Sequence, residues 1–318
     1  MTSSYSFAQY QLEITVAQDG SGDFTTIQHA IDACKAFPDK RITVFVKNGI
    51  YHEKVKVPAC NTNLSIIGES AEKTILSYGD YFEKIDRGRN STFYTYTLLV
   101  EAVDFHAENL TIENTAGPVG QAVALHVEGD RCVFRNCRLL GHQDTLYTAG
   151  QNSRLYFADC YIEGTTDFIF GAATVLFDRC TICSKSDSYI TAASTPQGKT
   201  FGYVFRNCKL TATDNVHRVY LGRPWRDYAK VVFMNCELGA HILPEGWSNW
   251  NGTSRDQTAC YAEYKNTGPG ANQETRIDWS HQLSSAQAAE YTLENILSPV
   301  LPDDSRSTEW TSIKMHVQ

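Results

Sequence analysis

The 318-residue chain has no apolar run near the roughly 18 residues that a membrane-spanning helix requires, which removes that kind of span. Nor does it carry an excess of basic residues. With 28 Lys and Arg against 36 Asp and Glu, its formal charge of −8 argues against a nucleic-acid backbone as the main partner. No Pro/Gly/Ser-rich linker interrupts the middle of the chain, so residues 1–318 read as one domain. The opening Met1-Thr2-Ser3-Ser4-Tyr5 lacks the basic and apolar regions of a signal peptide.

What the chain does contain is a repeat. Val133-Phe134-Arg135-Asn136-Cys137-Arg138-Leu139 recurs as Leu155-Tyr156-Phe157-Ala158-Asp159-Cys160-Tyr161-Ile162 and as Val175-Leu176-Phe177-Asp178-Arg179-Cys180-Thr181-Ile182. Two further copies, Tyr203 to Leu210 and Val231 to Leu238, carry Cys208 and Cys236, and a weaker relative, Val103-Asp104-Phe105 running on to Asn109-Leu110-Thr111-Ile112, puts asparagine in the place of cysteine. Successive cysteines are 23, 20, 28 and 28 residues apart, which suits one structural coil with loops of variable length. Each copy is short, β-branched and aromatic, without a sustained 3.6-residue period. The expected fold is all-β: a parallel β-helix in which each coil lays its strand on the previous one.

Stacked coils give a second interval its meaning. Asp144 follows Cys137 by seven residues, Asp167 follows Cys160 by seven, and the aspartates are therefore one coil apart. Adjacent strands lie about 4.8 Å apart, and equivalent positions point the same way. Two carboxyls held that close cannot both ionise cheaply, so one is driven towards its neutral form while the other stays charged. A proton donor and a charged nucleophile or base would then coexist near neutral pH.

Ten cysteines invite a disulfide or metal reading, but five of them (Cys137, Cys160, Cys180, Cys208 and Cys236) occupy one place in five strands, where a column of small thiols packs well. Cys180 and Cys183 have the gap of a zinc or redox pair. Residues three apart in a strand face opposite sides, however, and Cys132 and Cys137 are expected to do the same if their run is continuous. The ends read as caps. Residues 26–36 place Ile27, Ala30, Ile31 and Cys34 at helical intervals before Pro38, predicting a short N-terminal helix that plugs the first coil. Ser284 and Gln287 form a capping-box pattern that predicts a helical tail over 286–297, with Ala289, Leu293 and Ile296 on one side.

Further segments cluster around the aspartates. Gln121-Ala122-Val123-Ala124-Leu125 places Gln121 at 23 residues before Asp144, which predicts the same face one coil earlier. With Gln143-Asp144-Thr145-Leu146-Tyr147, Asp167-Phe168-Ile169-Phe170-Gly171, Leu221-Gly222-Arg223-Pro224-Trp225, Gly49-Ile50-Tyr51-His52-Glu53 and the N-terminal run Asp19 to Ile27, these segments resemble, in order, the signature set of the pectin methylesterases (pectinesterases). The resemblance spans roughly residues 14 to 300.

It implies a right-handed parallel β-helix that removes methyl esters from homogalacturonan, leaving carboxylates and releasing methanol. Carried over by motif, Asp167 would be the nucleophile and Asp144 the general acid and then base. Gln121 and Gln143 would hold the developing oxyanion, Arg223 would hydrogen-bond Asp167, and Trp225, Tyr147 and Phe168 would line the sugar groove. The residue chemistry agrees: a guanidinium beside Asp167 favours its charged form, and glutamine donates hydrogen bonds without adding charge. Tyr51 and Glu53 are expected to hold the first coil. Trp247 and Trp250 stay open between groove and core.

The resemblance also implies no cofactor or metal, a methyl-esterified polymer or oligomer as partner, no membrane or nucleic acid, a monomer, and a secreted or periplasmic location. Asp167 could instead activate water directly. Paired acids on a β-helix also suit a glycosidase of the polygalacturonase type, which releases reducing ends. No Gly-x-Ser-x-Gly elbow exists for His126 or His142 to serve, which speaks against a serine esterase.

Overall fold

A computed structural model describes residues 10–297 and 308–312. Among these residues the strands form three parallel sheets of eleven, eight and seven strands. Seven coils contribute one strand to each sheet in turn. Cys132–Arg135 lies in the first, Arg138–Leu140 in the second and Leu146–Thr148 in the third, and the next coil repeats the path with Arg154–Ala158, Tyr161–Gly164 and Ile169–Gly171. The chain is a parallel β-helix, and the repeat seen in the sequence is its first sheet and the turn that follows.

The repeat owes its shape to that turn. The residue before each ladder cysteine (Asn136, Asp159, Arg179, Asn207 and Asn235) has φ between 44° and 56°, a left-handed conformation that Asn and Asp tolerate better than most side chains. It rotates the chain from the first sheet into the second, so that the cysteine faces inward again. Cys132 and Cys137 both lie in the central core for this reason. Opposite faces were expected of a continuous strand, and the Asn136 turn breaks that continuity. The upstream relative also shifts by one place: Thr111 pairs with Arg138, which puts Leu110 beside Cys137 and Asn109 at the left-handed turn position. Leucine, not asparagine, therefore replaces cysteine in that coil.

Inside the coils run two columns. Phe134, Phe157, Phe177, Phe205 and Phe233 stand in register, with successive ring centroids 4.6, 5.2, 4.4 and 4.2 Å apart and planes within 22° of parallel. Beside them run the buried cysteines, all of them free thiols; the Sγ of Cys160, Cys180, Cys208 and Cys236 each sits 3.4–3.5 Å from a carbonyl of the preceding coil. Cys183 lies outside this central core.

The helix Ile27–Ala33 buries Ile27, Ala30 and Ile31 against the first coil. Its free amides at Ile27 and Gln28 donate to the two Glu53 oxygens at 2.9 and 3.0 Å, so the Glu53 carboxylate caps a helix N-terminus and ties it to the first coil. Tyr51, 1% exposed, donates from its hydroxyl to the Lys47 carbonyl at 2.9 Å. At the other end the Ser284–Gln287 capping box forms, but the tail is two short helices, Ser285–Ala289 and Leu293–Leu297. Ala288, Ile296 and Leu297 are its buried residues, while Ala289 is exposed and Leu293 half-buried. The break lets both helices follow the outer face of the first sheet, where they join Trp310 in covering Val133, Tyr156, Leu176, Val204 and Met234.

Candidate active site

The site lies where coils turn from the second sheet into the third. Leu146 pairs with Ile169, and the Asp144 amide donates to the Thr166 carbonyl at 3.1 Å, so the ladder extends back to set Asp144 beside Asp167 on adjacent coils. Both aspartates have left-handed backbones, with φ of 68° and 50°. Aspartate accepts this conformation at modest cost, and non-glycine residues held there gather at functional sites. Both carboxyls line one cleft of about 280 Å³, together with Gln121, Gln143, Arg223 and Trp225.

Arg223 reaches Asp167 with two hydrogen bonds, Nε to Oδ1 at 3.0 Å and Nη2 to Oδ2 at 2.7 Å. The turn that delivers it packs tightly. The Arg223 amide donates to the Thr191 carbonyl at 2.9 Å, and a Cβ on Gly222 would fall 1.9 Å from Thr191 Oγ1, so only glycine fits before the arginine. Burial drives the Asp144 carboxyl well above the ordinary carboxylate range, the Asp167 charge adds to this, and Arg223 opposes it weakly. Burial raises Asp167 too, but there the Arg223 hydrogen bonds and charge pull back. Both carboxyls are therefore raised, Asp144 the further of the two, because Asp167 has a guanidinium beside it and Asp144 a second carboxylate.

Gln121 and Gln143 meet across an isolated parallel bridge, and the Ala122 amide donates to the Gln143 carbonyl at 3.1 Å. Gln121 thus stacks on Gln143, not on Asp144 as the 23-residue interval suggested. The coil is one residue tighter there. Among the described residues neither glutamine amide has a hydrogen-bond partner, which leaves four N–H donors for whatever enters the cleft.

The aromatic residues sort differently from expectation. Trp225 does line the cleft. Phe168 does not: it is fully buried in the central core, and Phe170 takes the place on the wall. The left-handed turn at Asp167 offsets the strand alternation by one, which sends Phe168 inward and Phe170 outward. Tyr147 is not part of the lining; it stands beside Phe170 on the neighbouring coil, stacked on it with centroids 4.5 Å apart and planes 15° apart, while Trp225 meets Phe170 edge-on at 5.8 Å. Trp250 belongs to the cleft and Trp247 to the core.

One wall carries no signal in the repeat. The 3-10 helix Gly88–Tyr94, inserted between strands Thr74–Tyr78 and Leu98–Val100, brings Arg89, Thr92 and Phe93 to the cleft. These residues could be found only by tracing where the insertion folds back.

A family model described as Pectinesterase matches residues 13–299. The chain is 37% identical over 313 residues to Pectinesterase 31 of Arabidopsis thaliana, covering 96% of each, and it spans about half the length of several other curated relatives, including Pectinesterase 4 of the same plant. Among solved structures it resembles carrot pectin methylesterase, with a TM-score of 0.85 and 32% identity over 92% of this chain and 95% of that one. A pectin methylesterase in complex with a hexasaccharide superposes with a TM-score of 0.78 at 30% identity, over 93% of this chain and all of that one. Family model, curated relative and solved structures agree: the chain belongs to the pectinesterases, enzymes that hydrolyse the methyl esters of pectin.

Proposed function

We propose that this chain hydrolyses methyl esters of homogalacturonan with Asp167 as the nucleophile and Asp144 as the acid, then the base. The observation that carries the reading is the two-point pairing of Arg223 with Asp167, one coil from a second buried aspartate in the same cleft. Arg223 keeps Asp167 charged and fixes the carboxylate plane. An Asp167 oxygen attacks the ester carbonyl carbon, and the carbonyl oxygen takes up negative charge against the amides of Gln121 and Gln143. As the tetrahedral centre collapses, the bond to the methoxy oxygen breaks and Asp144 gives that oxygen its proton, releasing methanol.

The galacturonyl group is now an acyl anhydride on Asp167. Asp144, left as a carboxylate, takes a proton from a water that attacks the same carbon. Cleavage restores Asp167, and Asp144 is protonated once more. Trp225 and Phe170 offer apolar faces to the sugar rings, with Tyr147 stacked beside Phe170 on the neighbouring coil.

Residues 1–318 act as one domain, supported by the coil-on-coil register among the described residues, and as a monomer. The location of the polymer supports action outside the cytoplasm; among the described residues no helix is long and apolar enough to cross a membrane. The test follows methanol and reducing ends in parallel on methylated pectin, then quenches the working enzyme with hydroxylamine and reads the mass of the peptide carrying Asp167. Methanol without reducing ends, and a hydroxamate on Asp167 that forms only when substrate is present, are expected. Reducing ends would mark a glycosidase, and methanol release with Asp167 carrying neither a hydroxamate nor, after acid quench without hydroxylamine, a galacturonyl adduct would mean that it activates water instead.

A further inference from the structure

Arg223 is held by more than its carboxylate partner. Its Cζ lies 4.0 Å from the ring centroid of Tyr189 and 4.0 Å from that of Trp250. Trp250 faces the cleft, whereas Tyr189 is not part of its lining. The place of Tyr189 is set by the ladder: the Asp167 amide donates to the Tyr189 carbonyl at 2.8 Å, and Ile169 pairs with Thr191. Tyr189 in turn pairs with Tyr220, so Asp144, Asp167, Tyr189 and Tyr220 follow one another on successive coils. The Tyr189 and Tyr220 rings are stacked, with centroids 5.4 Å apart and planes 13° apart. Among the described residues the Tyr189 hydroxyl has no hydrogen-bond partner, so it is the ring face that the structure uses.

A guanidinium on a long, flexible stem samples many rotamers, and two parallel hydrogen bonds to a carboxylate need one of them. An aromatic face against the guanidinium plane removes alternatives and adds attraction to the positive charge. The Tyr189 ring is itself immobilised by Tyr220. We propose that Tyr189 is a positioning residue for the esterase reaction, its ring fixing the Arg223 guanidinium in the plane that meets both oxygens of Asp167. The inference rests on the catalytic reading given above and extends it by one coil, to a side chain that acts on the nucleophile only through the arginine.

The test compares Tyr189→Phe with Tyr189→Leu, and with Tyr189→Met as a second ringless variant should leucine disturb folding, each checked by thermal unfolding. Phenylalanine keeps the ring and is expected to hold kcat within about twofold. The ringless variants are expected to lose about tenfold or more in kcat, between the loss of one cation–π contact and the misplacement of a catalytic group, with little change in KM. The acid limb of kcat/KM should move to higher pH in them, because a loosened Arg223 no longer favours the charged form of Asp167. In an Arg223→Lys background the cost of removing the ring should shrink, since the planar fork it positions is gone.

Wild-type kcat and an unmoved acid limb in both ringless variants would overturn the proposal. So would a Tyr189→Phe enzyme as slow as Tyr189→Leu, or an undiminished cost of losing the ring in the Arg223→Lys background. Asp167→Ala is the control. If it still releases methanol, the nucleophile assignment falls; if it is inactive while the ringless variants behave as wild type, only the role of Tyr189 is removed.

Discussion

Arg223 engages both oxygens of Asp167, through Nε at 3.0 Å and Nη2 at 2.7 Å, across 56 residues of chain. That pairing makes two neighbouring buried acids unequal. Burial raises both carboxyls, and Arg223 holds the rise at Asp167 below that at Asp144.

Asp167→Ala should lower methanol release by at least about a thousandfold while leaving the fold and polymer binding largely intact. Methanol release from methylated pectin, circular dichroism and a pectin pull-down check this. Residual turnover within an order of magnitude of wild type would remove the nucleophile role.

Asp144→Asn should cut kcat by about 10²- to 10⁴-fold with little effect on KM, since amide nitrogen cannot protonate the leaving methoxide. It should also change stability. The folded-state pKa of Asp144 is raised, so the stability of its protonated form is complete below the ordinary value of 3.8 and is lost as pH rises through the raised one. Asparagine has no such loss. The melting temperature of the variant relative to wild type should therefore increase with pH, by roughly 2 °C or more near neutrality. An equal difference at pH 4 and pH 8 would contradict the burial argument.

The pH profile of kcat/KM should be a bell. Activity falls on the acid side as Asp167 takes a proton and on the alkaline side as Asp144 gives one up. Arg223→Lys should move the acid limb upward, because a point charge without the two-pronged fork stabilises the Asp167 carboxylate less. An acid limb that stays in place would show that Arg223 does not act on the ionisation of Asp167.

Phe168→Ala and Phe170→Ala should separate cleanly. Phe168 is fully buried in the central core, and its truncation should cost about 3–5 kcal/mol of stability. Phe170 lines the cleft and should chiefly raise KM for pectin. Urea unfolding paired with steady-state kinetics distinguishes them; the reverse pattern would return Phe168 to the groove.

Each oxyanion donor can be probed alone. Gln121→Ala and Gln143→Ala should each lower kcat by about 10²- to 10³-fold with smaller changes in KM. A loss confined to KM would make them ground-state binders.

The coil was legible because its turn imposes a chemical preference: a left-handed residue before each inward cysteine recurs in sequence as Asn or Asp, or in one coil as Arg179. The aspartate register was legible for the same reason, since Leu146 and Ile169 keep the 23-residue interval that the cysteines show. Intervals failed wherever a coil tightened or a turn shifted the alternation. Gln121 paired with Gln143 and not with the position of Asp144, and Phe168 exchanged roles with Phe170. The tail capping box forms where Ser284 and Gln287 predict it, yet the helix after it divides in two because the sheet face beneath it, invisible in a linear pattern, decides which residues are buried.

By itself the sequence determined the local rules: which residues turn the chain, which fill each coil, and which two acids recur at equal distance along it. These depend on neighbours in the chain and on a period, and both can be read in one dimension. Only the tertiary structure decided what surrounds the acids. Arg223, the rings of Tyr189 and Trp250, and the wall from Gly88–Tyr94 come from separate coils and an insertion. Burial and charge act through space, so the unequal affinity of the two carboxyls for a proton arises only when the coils are stacked.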